Sequence, residues 1–277
     1  MNQAARSVLI TGCSSGIGRC VAEGLRARGW RVFATARKAR DVATLEADGF
    51  ETVQLDLDDS DSIREAVDEI LLRTTGTLHA LFNNGAYGQP GAVEDLKRHV
   101  LRAQFETNLF GTLELTNRIL PVMRRQGHGR IVMNSSVLGF AAMPMRGAYN
   151  ASKFALEGIT DTLRQELHGT GIHVCLVEPG PIESRFRANS LQKFIENIDM
   201  DASVYREQYL RTLKRLKTEG PAVPFTLGPQ AVLKKVIHAL ESRCPKPRYY
   251  VTVPTYLFGF LRRVLPTRAM DAILRRV

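Results

Sequence analysis

The sequence predicts an α/β fold in which a doubly wound parallel sheet of about seven strands carries helices on both faces. Short apolar runs typical of buried strands alternate with helix-periodic segments through the first 180 residues. A glycine-rich turn lies between the first apolar run and the first helix and allows the tight connection that this order needs. The chain has 277 residues, 44% of them hydrophobic and 24% charged, so it can bury a large core.

The predicted elements follow one another at short intervals. Strands are predicted at 8–10, 31–35, 52–55, 78–82, 129–133, 174–177 and 248–253. Helices are predicted at 17–28, 60–72, 98–123, 150–168 and 229–242. The helix over 60–72 has apolar residues on one face, and Asp59 or Ser60 can cap it. Such alternation is typical of a parallel sheet covered on both faces.

The alternation stops after Pro179-Gly180-Pro181 and returns at 229. Residues 185–227 are charged with scattered large apolar side chains, which predicts a helical insertion rather than a separate domain. Residues 255–277 form an apolar and basic extension. We therefore expect a single domain over residues 1–277.

Several features favour a cytoplasmic protein without a metal site. The start of the sequence lacks the apolar core of a secretory signal, and no run reaches about 18 uninterrupted apolar residues. The four cysteines form no CxxC pair and no metal-ligand spacing. They are expected to be free or buried thiols in a reducing compartment.

The net charge of +10 is concentrated at the C-terminal end of the chain. Residues 244–277 hold seven Lys or Arg against one acid, Asp271, and no basic, aromatic-rich stripe of a nucleic-acid-binding protein is found elsewhere. The extension has an apolar segment flanked by arginines, which is compatible with contact to an anionic membrane surface. A helix that docks on its own domain or on a partner subunit is the alternative, and it is favoured.

The turn after the first strand has the pattern of a phosphate-binding loop. Gly12, Gly16 and Gly18 are spaced G-x-x-x-G-x-G between a strand and a helix. Glycines at such a turn let the backbone approach a pyrophosphate at the helix N-terminus. The pattern favours a Rossmann-type sheet that binds a dinucleotide.

The end of the second strand indicates which dinucleotide binds. NAD-binding folds usually place an acid here, whereas this chain has Arg37 and Lys38 and no acid before Asp41. The guanidinium of Arg37 can pair with a 2′-phosphate, so the sequence favours NADP over NAD. A solvated basic turn is the alternative.

Tyr149 and Lys153 are spaced so that they share one helix face, and Ser136 lies thirteen residues before the tyrosine. A phenol with a pKa near 10 needs a nearby cation to act as an acid or base at neutral pH, and Lys153 would provide it. The Ser136 hydroxyl could hold a carbonyl oxygen beside the phenol. Each feature is weak evidence alone.

Together these motifs resemble the short-chain dehydrogenase/reductase family. The resemblance covers about residues 6–185 and rests on TGxxxGxG, the Ser-to-Tyr spacing, YxxxK, and Pro-Gly after the sixth strand. In finer detail the chain looks most like bacterial NADP-dependent aldehyde/ketone reductases related to the 17β-hydroxysteroid and retinol dehydrogenases. The TxARK turn and the FTLGP…PKPRYYVT…LP tail carry that part of the resemblance.

The resemblance implies a role for each matching residue. Tyr149 would be the general acid in reduction and the base in oxidation. Lys153 would lower the pKa of Tyr149 and bind the nicotinamide ribose, Ser136 would orient the carbonyl, and Asn108 would hold a proton-relay water. The remaining cofactor-binding residues are implied to be Gly12, Ser14, Ser15, Gly16, Ile17, Gly18, Arg37, Asp56, Leu57, Asn83, Pro179, Gly180, Ile182 and Ser184.

The chain departs from the family pattern at two turns and at Ser184, which stands where a Thr is usual and keeps its hydroxyl. The turn after the fourth strand reads Asn83-Asn84-Gly85-Ala86, with its last two residues swapped. An alanine at a position with positive φ would be strained, whereas the gained Gly85 adds freedom. The turn is expected to survive, and its contact geometry is left open. The Gly-rich loop carries Ser14 and Ser15 where NADP-binding relatives often have a basic residue, and this leaves Arg37 as the main support for NADP.

The expected reaction is NADPH-dependent reduction of an apolar aldehyde or ketone, with alcohol oxidation as the reverse. Segments 87–91, 138–145 and 186–210 are predicted to wall the substrate pocket, with Leu138, Phe140, Met143 and Phe186 lining it. The resemblance also implies a homodimer or homotetramer. The alternative function is an NADP(H)-binding sensor without significant turnover. Such a protein should lack Ser136, Tyr149 or Lys153, and all three are present.

Overall fold

The computed structural model describes residues 6–276 and contains one wholly parallel sheet of seven strands in the order β3-β2-β1-β4-β5-β6-β7. The strands are β1 (Ser7–Ile10), β2 (Arg31–Ala36), β3 (Glu51–Gln54), β4 (Ala80–Asn83), β5 (Gly129–Asn134), β6 (Ile172–Glu178) and β7 (Arg248–Tyr250). The order reverses between β1 and β4, which is the switch point where α/β sheets bind ligands. The predicted fold class is confirmed.

Helices cover both faces of the sheet. They are α1 (Gly16–Arg26), α2 (Ala39–Ala47), α3 (Ser60–Arg73), α4 (Arg98–Phe105), α5 (Gly111–Gln126), α6 (Gly147–Glu166), α7 (Phe186–Asn197), α8 (Arg206–Lys217), α9 (Gln230–Glu241), α10 (Val253–Val264) and α11 (Thr267–Leu274). Val8 and Ile10 point into the core shared with α1 and α9, whereas Leu9 points into the core shared with α3, α5 and α6. This alternation follows from the two-residue period of a strand and gives a core on each face.

One predicted helix is divided in the structure, and one helix of the structure was not predicted. The helix predicted over 98–123 is divided into α4 and α5 by a π-helical turn at Glu106–Phe110. At Gly111 an added Cβ would lie only 1.8 Å from the carbonyl oxygen of Leu57, so α5 begins against the backbone of another segment. In addition, α2 was not predicted, because Leu45 is its only buried residue and leaves little apolar periodicity.

The strand predicted over 248–253 ends at Tyr250. Thr252 has extended backbone and precedes α10, whose first turn holds Pro254. Proline lacks an N–H for a strand ladder but fits the first turn of a helix, so the chain turns into α10 at this point.

The insertion consists of α7 and α8 and is tied to the rest of the domain at both ends. At its base, Glu183 donates a backbone hydrogen bond to Leu227 and Leu227 donates one to Pro181. At its far end the buried Tyr209 hydroxyl accepts a hydrogen bond from Ala92 N at 2.9 Å and donates one to Asp95. The insertion is therefore a packed cover rather than a loose loop.

The C-terminal extension docks on its own domain through one face. Phe258 of α10 and Met270 and Leu274 of α11 form a buried cluster with Phe140 and Met143. This is the packing that the sequence favoured for the extension. Within residues 6–276, no helix is both long and apolar enough to cross a bilayer.

Candidate active site

The Gly-rich turn after β1 is held in a shape that only glycine adopts readily. Gly12 and Gly16 have φ of +72° and +58°. Gly18 lies inside α1, where an added Cβ would lie 2.2 Å from the carbonyl oxygen of Gly12. The turn is further tied to β2, because Cys13 N donates to the Thr35 carbonyl at 2.8 Å. These contacts place the start of α1 at the carboxyl edge of β1.

The start of α1 can receive an anion. Ser15 has extended backbone and its hydroxyl does not cap the helix, and no acidic residue lies in the first turn. Ser14 is exposed and Ser15 partly exposed at the same place. Free N–H groups at a helix N-terminus and the positive end of its dipole favour phosphate. The protein groups present therefore fit the pyrophosphate of a dinucleotide cofactor.

The residues predicted to hold the adenosine half lie beyond this turn. The Arg37 side chain is 56% exposed at the end of β2, and its Nε lies 4.0 Å from Oδ2 of Asp56. Leu57 is buried beside Gly85, and Ile17 packs on the core under α1. The Arg37 side chain is thus partly exposed to solvent and lies next to the carboxylate of Asp56.

Ser136, Tyr149 and Lys153 lie together at the carboxyl edge of β5. Ser136 follows β5, and its Oγ accepts a hydrogen bond from Leu138 N at 3.1 Å. Tyr149 and Lys153 lie on one face of α6, with Lys153 Nζ 5.8 Å from the centre of the Tyr149 ring. The lysine is buried and donates a hydrogen bond of 2.7 Å to the Asn134 carbonyl.

Burial dominates the pKa values of this group. It raises the pKa of Tyr149 to about 12, and the Ser136 hydroxyl partly opposes that rise. Burial lowers the pKa of Lys153 to about 8, and the carboxylate of Glu157 partly opposes that fall. Among the protein groups, burial of the phenol has the largest effect, and the lowering of the Tyr149 pKa by Lys153 stays a prediction. The phenol is thus protonated at neutral pH.

A pair of asparagines that the sequence analysis did not single out connects the two halves of the site. Asn84 Nδ2 donates to the carbonyl oxygens of Thr11 and Gly12 at 2.9 and 3.3 Å. Asn134 Nδ2 donates to Asn84 Oδ1 at 3.0 Å. Each asparagine lies at the carboxyl end of its strand, β4 or β5, and that position is the signal that could have identified them.

The swapped turn after β4 is not strained. Neither Gly85 nor Ala86 has positive φ, so the alanine carries no backbone penalty. Gly85 N donates to Thr11 Oγ1 at 2.7 Å, which keeps the turn against the Gly-rich loop. The strain considered for the alanine is therefore absent. Asn83, in contrast, donates to Thr116 Oγ1 at 2.9 Å and lies buried toward α5 rather than toward the loop.

Asn108 lies in the π-helical turn and is buried. Its Oδ1 accepts from Tyr87 N at 3.1 Å, and its Nδ2 donates to Tyr87 O at 3.0 Å and to Ser152 Oγ at 3.1 Å. The side chain thus joins the segment after β4 to the catalytic helix α6. A π-helical turn of this kind is frequent at functional sites.

The segment after β6 approaches the Gly-rich loop from the opposite side. Ser184 Cβ lies 2.9 Å from the position of an added Cβ on Gly16. Pro179 O accepts a backbone hydrogen bond from Val137 at 2.8 Å, and Gly180 packs on Thr252. Ile182 packs against the core beside α9. Of the residues predicted to contact the nicotinamide, Ser184 therefore lies directly beside the Gly-rich loop.

Phe186 is an apolar residue in contact with Tyr149. Its ring meets the Tyr149 ring edge to face at 5.3 Å and lies against Gly88. Leu138 is partly buried nearby. Phe140 and Met143 are 8% and 9% exposed and pack against the C-terminal helices, so they support the wall rather than line an open pocket.

A cluster of buried charges lies behind the catalytic helix. Arg248 donates to Glu157, to Glu178 and to Asp161. Glu178 is fully buried, and burial together with the neighbouring Glu157 raises its pKa. The cluster ties β7 to α6 one turn beyond Lys153.

Comparisons with known proteins identify the family of this chain. A family description, short chain dehydrogenase, matches residues 6–194. An uncharacterized oxidoreductase, YbbO of Escherichia coli strain K12, is 44% identical over 270 residues, covering 98% of this chain and 94% of YbbO. The NADPH-dependent 3-dehydrocapnine reductase of Ornithobacterium rhinotracheale is 31% identical over 97% of this chain and 95% of its own. The crystal structure of a short chain dehydrogenase/reductase from Burkholderia phymatum in complex with NAD superposes with a TM-score of 0.78 at 25% identity, covering 99% and 97%.

Proposed function

This chain belongs to the short-chain dehydrogenase family, whose members are oxidoreductases acting on CH–OH groups with a nicotinamide cofactor, and from that premise we propose that it reduces the carbonyl of an apolar aldehyde or ketone with NADPH. The reverse reaction is oxidation of the corresponding alcohol. The observation that carries the proposal is the grouping of Ser136, Tyr149 and Lys153 beside a phosphate-binding turn.

Bound NADPH would supply the hydride that reaches the carbonyl carbon. The proton comes from the Tyr149 hydroxyl, which is protonated at neutral pH because burial raises its pKa. Ser136 and Tyr149 donate hydrogen bonds to the oxygen as negative charge develops on it, and this stabilises the transition state more than the ground state. Lys153 lies close enough to favour the phenolate that remains after proton transfer.

The preference for NADPH rests on Arg37. Its guanidinium is exposed at the end of β2, where a 2′-phosphate would lie in a Rossmann-type site. The related 3-dehydrocapnine reductase is NADPH-dependent, whereas the related Burkholderia protein binds NAD, so the family alone does not decide the cofactor. The charge at Arg37 favours the phosphorylated form.

The apolar character of the substrate rests on the side chains near the phenol. Phe186 contacts Tyr149, and Leu138 lies on the segment after Ser136. Apolar walls with a few polar groups at the reacting centre select for apolar carbonyl compounds. The insertion carries Phe186 and also packs on residues 89–95, so it closes over the site from one side.

The test is NADPH oxidation by the purified protein with a panel of aliphatic and aromatic aldehydes and ketones, measured by absorbance. NADH is tested in parallel. We expect turnover of at least one panel member with NADPH and a preference for NADPH over NADH. NADPH that binds but is not oxidised with any member would contradict the proposal, and a preference for NADH would contradict the role given to Arg37.

A further inference from the structure

Helix α10 leaves a stripe of large apolar side chains in solvent. The opposite face of the helix packs on the protein through Phe258 and Gly259. The stripe residues are between 49% and 62% exposed and recur at helical spacing: Val253, Tyr256, Leu257, Phe260 and Val264. Monomeric proteins seldom expose a continuous apolar strip of this kind unless it contacts something.

A basic groove lies beside this stripe. It has a volume of about 420 Å³ and is lined by residues of α9, β7 and α10. No acidic residue lines it, and the lining residues are Lys234, Lys235, His238, Lys246, Arg248, Tyr249, Tyr250, Tyr256 and Arg263. Arg248 is engaged with Glu157, Asp161 and Glu178, so its charge is compensated. Among residues 6–276, Lys234, Lys235, Lys246 and Arg263 form no ion pair.

The stripe and the groove form one surface. Tyr256 belongs to both, and Lys235 Nζ lies 3.4 Å from its hydroxyl. The surface therefore combines an apolar strip with uncompensated positive charge at its side.

We propose that this surface docks on an anionic lipid bilayer, with lipid phosphates in the basic groove and the stripe at the boundary between headgroups and acyl chains. Amphipathic helices with basic flanks bind membranes in this way. The charge argues against a second copy of the chain as the occupant. A two-fold contact centred on this surface would bring the same basic groove of each copy to the same interface, where like charges repel.

Binding of the full-length protein to extruded vesicles tests the proposal without requiring turnover. Vesicles of phosphatidylcholine alone are compared with vesicles that contain about 30% phosphatidylglycerol. We expect co-sedimentation with the anionic vesicles, weaker binding at high salt, and little binding to phosphatidylcholine alone. Equal binding to both vesicle types, or to neither, would overturn the proposal.

Two variants address the two parts of the surface. Leu257→Ser with Phe260→Ser removes apolar area, and Lys234→Ala with Lys235→Ala removes charge. Each is expected to weaken binding to anionic vesicles at least about tenfold. The lysine pair is on the surface of α9 and not in the apolar packing, so it remains a valid test if the serine variant folds poorly.

Matched control variants lie elsewhere on the surface. Leu72 is 83% exposed on α3, and Arg124 and Arg125 are exposed neighbours on α5 without ion pairs in the described chain. Leu72→Ser and Arg124→Ala with Arg125→Ala should bind vesicles as the unmodified protein does. Oligomeric mass is measured for every variant. A stripe variant that dissociates an oligomer while vesicle binding stays unchanged would show that the surface joins copies of the chain, and it would overturn the membrane proposal.

Discussion

Lys153 Nζ donates a hydrogen bond of 2.7 Å to the backbone carbonyl of Asn134, and the Asn134 side chain in turn holds Asn84. Asn84 reaches the carbonyl oxygens of Thr11 and Gly12 in the Gly-rich turn. The buried lysine beside the phenol is thereby connected through two hydrogen-bonded asparagines to the turn that fits a pyrophosphate. One hydrogen-bond network therefore links the side chains proposed for proton transfer to the turn proposed for cofactor binding.

Replacement of Lys153 by Met should remove activity and stabilise the fold. The pKa of Lys153 is about 8 in the folded protein, below its usual 10.5. Below pH 8 the folded protein therefore bears the free-energy cost of a buried ammonium, and this cost disappears as pH rises from 8 toward 10.5. Urea unfolding at pH 7 is expected to show a gain of about 1–3 kcal/mol, and the gain should shrink at pH 10. The exposed Lys217→Met should change the free energy of unfolding by less than about 0.5 kcal/mol. Loss of stability at pH 7 in Lys153→Met would contradict this account.

Replacement of Arg37 by Gln should affect NADPH much more than NADH. A charge-assisted hydrogen bond to a phosphate contributes about 1.5–3 kcal/mol, so the Kd for NADPH should rise about 10- to 100-fold. The Kd for NADH should change by less than about threefold, since NADH has no 2′-phosphate. Titration of both cofactors by fluorescence measures the effect, with the exposed Arg40→Gln as the matched control. Equal losses for the two cofactors would show that Arg37 does not read the phosphate.

Alanine at two glycines of the catalytic framework should have opposite effects. At Gly18 an added methyl carbon would lie 2.2 Å from the backbone oxygen of Gly12. That oxygen cannot move away unless the Gly-rich turn opens. We expect a loss of about 1–3 kcal/mol in unfolding free energy together with weaker NADPH binding. Gly158 is exposed within α6 with nothing near its added Cβ, so Gly158→Ala should stabilise the protein by about 0.5–1 kcal/mol. Thermal unfolding of both variants, with and without NADPH, provides the measurement.

Replacement of Glu178 by Gln should change how stability depends on pH. The pKa of Glu178 is raised in the folded state. Between the ordinary carboxyl pKa and this raised pKa, the folded protein keeps a proton that the unfolded chain has lost. Stability therefore falls as pH rises through this range up to the folded pKa. A neutral amide at this position cannot titrate, so the variant would lack this loss. It should therefore gain about 1–2 kcal/mol relative to the unmodified protein between pH 5 and pH 9. The exposed Glu65→Gln should show no such trend, and an equal pH dependence in Glu178→Gln would refute the assignment.

The local motifs could be predicted from sequence because each has a fixed spacing and a fixed place relative to a strand. Gly12, Gly16 and Gly18 follow β1, and the alternation of strands and helices gives the parallel sheet. The structure brings Ser136, Tyr149 and Lys153 together because β5 and α6 are consecutive elements that pack at the same edge of that sheet.

Features that depend on contacts between distant segments could not be predicted in the same way. The division of the helix over 98–123 follows from the approach of Gly111 to the Leu57 backbone, which no local pattern shows. Asn83 and Asn84 are identical in type, yet one is buried toward Thr116 and the other holds the Gly-rich turn. The packing of Phe140 and Met143 depends on helices more than 100 residues away in the chain.

The most direct test of the proposed chemistry is the rate of NADPH oxidation by Tyr149→Phe, measured with the best substrate of the panel. The variant keeps the ring that contacts Phe186 but lacks the proton donor. We predict that turnover falls about 10²- to 10⁴-fold while the Kd for NADPH stays within about threefold. Tyr256→Phe, on the far surface helix α10, should keep full activity. Unchanged turnover in Tyr149→Phe would contradict the central claim that the Tyr149 hydroxyl delivers the proton to the carbonyl oxygen.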